Sequence, residues 1–143
     1  MLDVRGEWEI PPTPFHKGET GLKMERQMET VAKSNIYENI PTTSDKELFD
    51  IIAQNGNVRI ERIVSFGQCS PEGFFYDQDE DEFVILLEGN ATVSFEDGTA
   101  HNLKKGDYLN IPCHVKHRVD LTSNPAVWLA VFYKGQAHGS ALR

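Results

Sequence analysis

Short apolar runs recur through the central and C-terminal parts of the chain. Residues 83–87, Phe-Val-Ile-Leu-Leu, form a continuous apolar run, which is typical of a strand covered on both faces. Residues 91–96 alternate between apolar and polar side chains, which is the period of a strand with one buried face. Residues 58–66 are rich in β-branched side chains, and two further strands are predicted at 117–122 and 127–133. The pattern therefore predicts a mainly β structure.

Turn residues separate these apolar runs. Asp97 and Gly98 form a typical two-residue hairpin turn, and Gly106 lies in a second turn before another apolar segment. Asn124 and Pro125 divide the last two predicted strands. Many short strands at such regular spacing are typical of a sandwich or a closed barrel.

One segment upstream of the strands has a helical pattern instead. Ser44–Glu47 has the form of a capping box, in which the serine hydroxyl and the glutamate satisfy free amides at a helix start. Leu48, Ile51 and Ile52 follow at helical spacing, and an Asn-Gly pair comes after them. The sequence therefore predicts one short N-terminal helix, roughly over 45–54.

Residues 1–34 differ in character from the rest of the chain. Pro11, Pro12 and Pro14 interrupt any regular element, and little apolar patterning follows them. We interpret this segment as an N-terminal arm that is flexible or partly non-native, and residues 35–143 as the folded domain. The arm is expected to be dispensable for folding.

The composition narrows the choice of partners and compartment. The chain has 22 Asp and Glu against 14 Lys and Arg, a formal net charge of -8. Such a surface repels phosphate backbones and anionic lipids, so we expect neither nucleic acid nor membrane as a partner. Cys69 and Cys113 provide no disulfide framework, and the N-terminus lacks the apolar run of a signal peptide. A cytoplasmic location is therefore expected.

Two stretches carry motif-like spacing. The first contains Glu82–Gly89, and the second contains Gly106, Pro112 and His117. Together they resemble the paired motifs of the cupin superfamily, in which a glutamate precedes a glycine and a histidine follows a proline. The resemblance implies a double-stranded β-helix, or jelly-roll barrel, with the site in the barrel interior.

The first motif departs from the family pattern at two positions. Tyr76 and Gln78 stand where the family has two metal-binding histidines. The metal ligands implied by the resemblance are therefore Gln78, Glu82 and His117, with Tyr76 as a possible fourth. They would hold a divalent ion, with Mn, Fe, Ni and Zn not distinguished. Amide and phenol oxygens are weaker ligands than imidazole for these metals.

The same residues also have structural interpretations. Glu82 ends an acidic run and would then be a solvated charge, His117 would be a buried structural histidine, and Gln78 would satisfy a backbone group. Tyr76, Phe75 and His114 are the candidate substrate-binding residues, and a position at the barrel rim is favoured for His114.

Three functions are compatible with this set of residues. The first is a metal-dependent enzyme in which Glu82 and His117 hold the ion. The second is a metal-free sensor or carrier of a small metabolite. The third is metal-free acid–base catalysis of the isomerase type. We expect a divalent metal and a small-molecule ligand inside the barrel, and the sequence predicts no specific reaction and leaves open whether the chain is an enzyme.

The resemblance also implies a homodimer, as is common among small cupins. Residues 58–66 give a physical motive, because apolar side chains fall on both faces of this predicted strand. One face can pack into the barrel, and a second subunit or the N-terminal arm would cover the other.

Overall fold

The computed structural model describes residues 30–135 of the 143-residue chain. These residues form eight strands: β1 Leu48–Gln54, β2 Val58–Ser65, β3 Asp81–Glu88, β4 Asn90–Phe95, β5 Ala100–Lys104, β6 Tyr108–Ile111, β7 His117–Thr122 and β8 Ala126–Tyr133. They make a five-stranded sheet in the order β1-β2-β8-β3-β6 and a three-stranded sheet in the order β5-β4-β7. The predicted all-β fold is confirmed.

The core lies between the two sheets and depends on the alternation of side chains along β3 and β8. Val84 and Leu86 of β3 are buried, whereas Phe83 and Ile85, which alternate with them along the strand, are partly exposed. Trp128 of β8 packs in the same cluster, together with side chains from β4, β5 and β6. Residues two apart on a strand share a face, so this alternation also determines what lies inside the barrel further along β3.

The glycine that ends the first motif has a steric role. Gly89 connects β3 to β4 with φ +89°, a conformation that other residues rarely adopt. A Cβ atom there would lie 2.6 Å from the carbonyl oxygen of Pro125. The spacing between Glu82 and Gly89 therefore follows from the length of β3 and the tight turn after it.

The predicted helix over 45–54 is wrong. The structure has strand β1 over Leu48–Gln54, and no α-helix occurs within residues 30–135. The Ser44 hydroxyl accepts a hydrogen bond from the Lys46 amide and donates one to the Lys46 carbonyl, which closes a local turn. Pairing with β2 stabilises the strand from Leu48 to Gln54, whereas an isolated helix of ten residues is marginal in water.

Within the described range, no helix has the length and apolar character needed to cross a membrane.

Strand β2, which lies within the segment 58–66, is not a sheet edge. Strand β2 pairs with β1 on one side and with β8 on the other, so β1 is the edge of the five-stranded sheet. Most of the predicted arm, residues 1–34, lies outside the described residues, and its role stays a prediction.

Candidate functional site

A partly enclosed cavity of about 110 Å³ lies between the sheets. Apolar side chains from both sheets form most of its wall, including Val84 and Val93. Its polar lining comes from six residues: Glu47, Glu61, Tyr76, Gln78, Glu82 and His117. Four of these six are the positions that correspond to the metal ligands of the cupin motifs.

Strand alternation directs Glu82 into this cavity. Glu82 precedes Val84 and Leu86 by two and four residues, so it shares their inward face, and it is 8% exposed. Its neighbours in the sheet are Ile111 of β6 and Phe132 of β8, both buried. The interpretation of Glu82 as a solvated charge is therefore wrong.

An isolated bridge brings the first motif to the second. The Tyr76 amide donates to the His117 carbonyl at 2.7 Å, and the His117 amide donates to the Tyr76 carbonyl at 3.2 Å. The two rings stack with centroids 5.6 Å apart. His117 begins β7, so this pairing places residues 76–78 beside the start of that strand.

Glu82 is the acceptor at the centre of the polar wall. Its Oε2 atom accepts a hydrogen bond from Gln78 Nε2 at 2.8 Å and lies 3.4 Å from His117 Nε2. On the other side of the ring, His117 Nδ1 lies 2.9 Å from the Val115 carbonyl oxygen. A carbonyl can only accept, so Nδ1 carries a proton and Nε2 is the atom that faces Glu82.

The environment favours the protonated form of His117. Burial alone would lower the pKa of this imidazole. The hydrogen bonds to Glu82 and to the Val115 carbonyl, together with the charge of Glu82, act in the opposite direction and raise the pKa above its ordinary value of 6.5. A proton on this imidazole is therefore held more tightly than on a free histidine side chain.

Tyr76 remains a phenol at neutral pH. Burial is the main cause that raises its pKa, and the negative charges of Glu47 and Glu82 add to it, while a hydrogen bond with Ser70 opposes the shift. A protonated hydroxyl in the cavity lining can donate a hydrogen bond to a bound molecule.

Two of the predicted substrate-binding residues do not line the cavity. Phe75 lies beneath the guanidinium of Arg118, whose Cζ is 5.8 Å from the ring centroid. The exposed ring of His114 pairs with Asp77 at 2.8 Å, and that hydrogen bond is the main reason why its pKa is raised. The roles of Phe75 and His114 stay predictions, and they gain no support from this geometry.

Sequence reasoning missed two carboxylates of the cavity. Glu47 was assigned to a helix cap, but in the structure it precedes β1 and lines the cavity. Glu61 lies two residues before Ile63 on β2, and both line the cavity. The available signal was a charged residue inside an apolar strand, since such a residue is costly unless it is paired or functional.

The donor set fits an ordinary divalent-metal centre poorly. Within residues 30–135, no three His, Cys, Asp or Glu side chains are grouped as metal ligands. The set Gln78, Glu82 and His117 would offer one amide, one carboxylate and one imidazole. Gln78 turns an N–H donor toward Glu82, and turning its oxygen inward would break that hydrogen bond.

The comparison with protein families and the comparison with solved structures point to the same family. The cupin domain family matches residues 67–132. A protein from Ralstonia eutropha JMP134 with the provisional name mannose-6-phosphate isomerase is 35% identical in sequence. The match covers 73% of this chain and 100% of that one, with a TM-score of 0.71.

Two more distant structures agree in fold. A cupin superfamily protein from Desulfitobacterium hafniense DCB-2 has 20% identity and a TM-score of 0.58, over 67% of this chain and 84% of that one. An RmlC-like cupin with a double-stranded β-helix fold from Methanocaldococcus jannaschii also has 20% identity and a TM-score of 0.58, over 73% and 93%. Among curated proteins, no sequence matches significantly.

Proposed function

The chain belongs to the cupin superfamily, and we propose that its barrel cavity binds a small organic molecule and presents it to a proton-transfer pair formed by Glu82 and His117. The observation that carries this proposal is the convergence of Tyr76, Gln78, Glu82 and His117 on one cavity, with the two charged groups buried and 3.4 Å apart.

The pair has the elements that acid–base catalysis needs. In its protonated form His117 also carries a proton on Nε2, at the cavity wall, and Glu82 provides an acceptor next to it. A bound molecule that inserts a hydroxyl or an acidic C–H at this point would receive a proton from one group and lose one to the other. Tyr76 would donate a hydrogen bond that orients the molecule.

A resident metal is the less favoured form of this site. Gln78, Glu82 and His117 already satisfy one another: the carboxylate has two donors and a positive charge beside it. If a divalent ion binds, these three residues are the ones that would hold it, and it would polarise a carbonyl or bind water. The test below treats metal binding as a distinct outcome.

The provisional name of the relative supports the type of reaction only. Isomerisation of a sugar moves protons between carbon and oxygen, which an imidazole–carboxylate pair can perform. The described cavity lining has no feature that would bind the phosphate group of the sugar in that name. Among the described residues that line the cavity, there is no Lys or Arg to hold a phosphate.

The test combines ligand binding with hydrogen exchange. A panel of small hydroxylated, carbonyl and amine metabolites is screened by calorimetry against the wild-type protein, with metal content measured on the same samples. Binding metabolites are then incubated with the protein in D₂O. We expect His117→Gln to weaken binding about tenfold, roughly 1.4 kcal/mol, and to abolish deuterium incorporation into the bound metabolite. The control variant, His101→Gln, changes an exposed histidine of β5 that does not line the cavity, and it should match the wild type.

Each alternative has its own signature in this test. Binding without deuterium incorporation in any metabolite would identify a sensor or carrier in place of an enzyme. A stoichiometric metal whose removal by a chelator abolishes binding would favour the metal-dependent form. Equal binding by wild type and His117→Gln would show that ligands bind elsewhere.

Assembly and location stay proposals from the sequence. We propose a homodimer, now with the β1 edge as its contact, because Phe49, Ile51 and Ile52 are about half exposed there. A cytoplasmic location and the absence of nucleic-acid and membrane partners follow only from the charge and the cysteine pattern.

A further inference from the structure

The cavity holds one carboxylate that the proposed proton-transfer pair does not use. Glu47 lies just before β1 and lines the same cavity as Glu82 and His117. Within residues 30–135, no Lys, Arg or His side chain forms an ion pair with Glu47. Among the described residues, its negative charge therefore has no cationic side chain paired with it.

A buried hydrogen-bond relay fixes the position of Glu47. The indole Nε1 of Trp128 donates to the Ser65 hydroxyl at 3.2 Å, and the Ser65 hydroxyl donates to Glu47 Oε1. An indole N–H can only donate, so the serine has its single proton free for the carboxylate. Ser65 is 0% exposed and Trp128 is 4% exposed. A surface carboxylate would have no such support, so this one is built into the cavity wall.

The other two acidic residues of the cavity have partners. Glu82 faces His117, and Glu61 Oε1 lies 2.7 Å from Arg59 Nε. Arg59 lies outside the lining, contacts Glu80 as well, and packs over the Phe132 ring. Each of these two pairs is locally neutral when His117 is protonated, so the cavity keeps an excess of about one negative charge.

The cavity wall that carries this excess charge also contains aromatic side chains. Phe49, Tyr76 and Trp128 line the cavity together with Glu47. The face of an aromatic ring attracts cations, and aromatic rings next to a carboxylate are a recurrent arrangement for binding organic ammonium groups.

We propose that the molecule bound in this cavity is a small organic cation, whose ammonium group is held by Glu47 and the aromatic walls while its other end reaches Glu82 and His117. This inference rests on the proposed function, because it assigns a ligand class to the same cavity. Small anions such as carboxylates and phosphates would meet an unpaired like charge and no Lys or Arg of the lining.

A charge series of equal chain length tests the ligand class on the unmodified protein. The probes are propylammonium, 1-propanol and propionate, with inorganic phosphate and Mn²⁺ alone as two further probes. Binding is followed by the indole N–H resonance of Trp128, because this group begins the relay to Glu47. We expect propylammonium to shift the resonance at millimolar concentration, 1-propanol to bind about tenfold more weakly, and propionate and phosphate to leave it unchanged.

A matched pair of variants locates the effect. Glu47→Gln removes the charge and keeps an oxygen that can accept from Ser65, so it should weaken propylammonium about tenfold and leave 1-propanol unaffected. Glu88→Gln changes an exposed glutamate that does not line the cavity, and it should match the wild type. If Glu47→Gln does not fold, the charge series on the wild-type protein still decides the question.

Several results would overturn the cation proposal. These are equal binding of propylammonium and 1-propanol, preference for propionate or phosphate, a Trp128 shift with Mn²⁺ alone that exceeds the propylammonium shift, or no shift with any probe. Equal binding of the charged and neutral probes would leave the proposed function intact, because the cavity would still bind organic molecules. The deuterium-exchange experiment decides the proton-transfer pair independently.

Discussion

Strands β1 and β3 belong to one sheet and have similar apolar contents, yet their environments are opposite. β3 alternates between buried and partly exposed side chains, and its Leu86 is 0% exposed. β1 is exposed along nearly its whole length, and its Ile51 and Ile52 remain 54% and 51% exposed. β3 has paired strands on both sides, whereas β1 pairs only with β2. Apolar content therefore identifies a strand, and its neighbours determine whether that content is buried.

The largest expected effect contrasts the two strands directly. Leu86→Ala should lower the free energy of unfolding by about 2–5 kcal/mol, because it leaves a cavity in the closely packed core. At protein concentrations where the chain is monomeric, Ile52→Ala removes a half-exposed side chain at the sheet edge and should cost about 0.5 kcal/mol or less. Urea denaturation of both variants measures the difference.

If both variants lose a comparable amount of unfolding free energy, β1 and β3 do not differ in burial as the structure indicates. Such a result would show that β1 is covered in solution, by a second subunit or by residues outside the described range. The same experiment repeated at several protein concentrations distinguishes the two explanations, since only cover by a second subunit makes the stability depend on concentration.

An intermediate effect is expected at the polar end of β3, where Glu82 meets His117. The folded-state pKa of His117 is raised, so the pair stabilises the fold fully below the ordinary pKa of 6.5 and loses this contribution as the pH rises through the raised value. Thermal melts at increasing pH should therefore show a falling melting temperature over this window. The His117→Gln variant should lack the fall.

The control for the pH experiment is His114→Gln. The pKa of His114 is also raised, but its ring is exposed and its pairing with Asp77 is screened by solvent. This variant should keep the pH dependence of the wild type. A melting temperature that falls equally in wild type and His117→Gln would assign the dependence to other groups.

The smallest changes in stability are expected from a substitution at the β1 edge and from removal of the N-terminal arm. Ile51→Lys should convert a dimer to a species near the monomer mass of 16.2 kDa, because a lysine at an edge strand opposes pairing. Leu121→Lys places the same change at an equally exposed position in the other sheet and should leave the dimer intact.

A chain that begins at Ser34 should melt like the full-length protein. Light scattering and thermal melts provide both measurements.

A monomer mass for the full-length and the shortened chain alike would contradict the homodimer. Loss of soluble protein in the shortened chain alone would show that residues 1–33 contribute to folding, which would make the predicted arm part of the domain.

The sequence predicted the core strands because their patterns are local. The apolar run at 83–87 and the alternation at 91–96 each indicate a strand without reference to partners, and β3 and β4 occupy these positions. The segment at 48–54 was misassigned because apolar residues at positions 48, 51 and 52 fit a helix as well as an irregular strand. The structure has a register shift between Ile51 and Ala53, which explains the broken alternation.

The candidate site was predicted in part for the same reason. Glu82 and His117 follow from motif spacing, and the structure brings both to one cavity with Tyr76 and Gln78. Glu47 was not found, because nothing in its own neighbourhood distinguishes it from a helix cap. Its position depends on a relay from Trp128, 81 positions further along the chain.

The sequence by itself determined the fold class, the strand that carries Glu82 and the hairpin turn at Asp97 and Gly98, since these depend on local periodicity and backbone conformation. The tertiary structure alone decided which strand is the edge, which of two similar apolar segments is buried, and which carboxylates share the cavity. These features depend on contacts between residues far apart in the chain, and the pairing of β1 with β2 overrides the local preference of residues 45–54 for a helix.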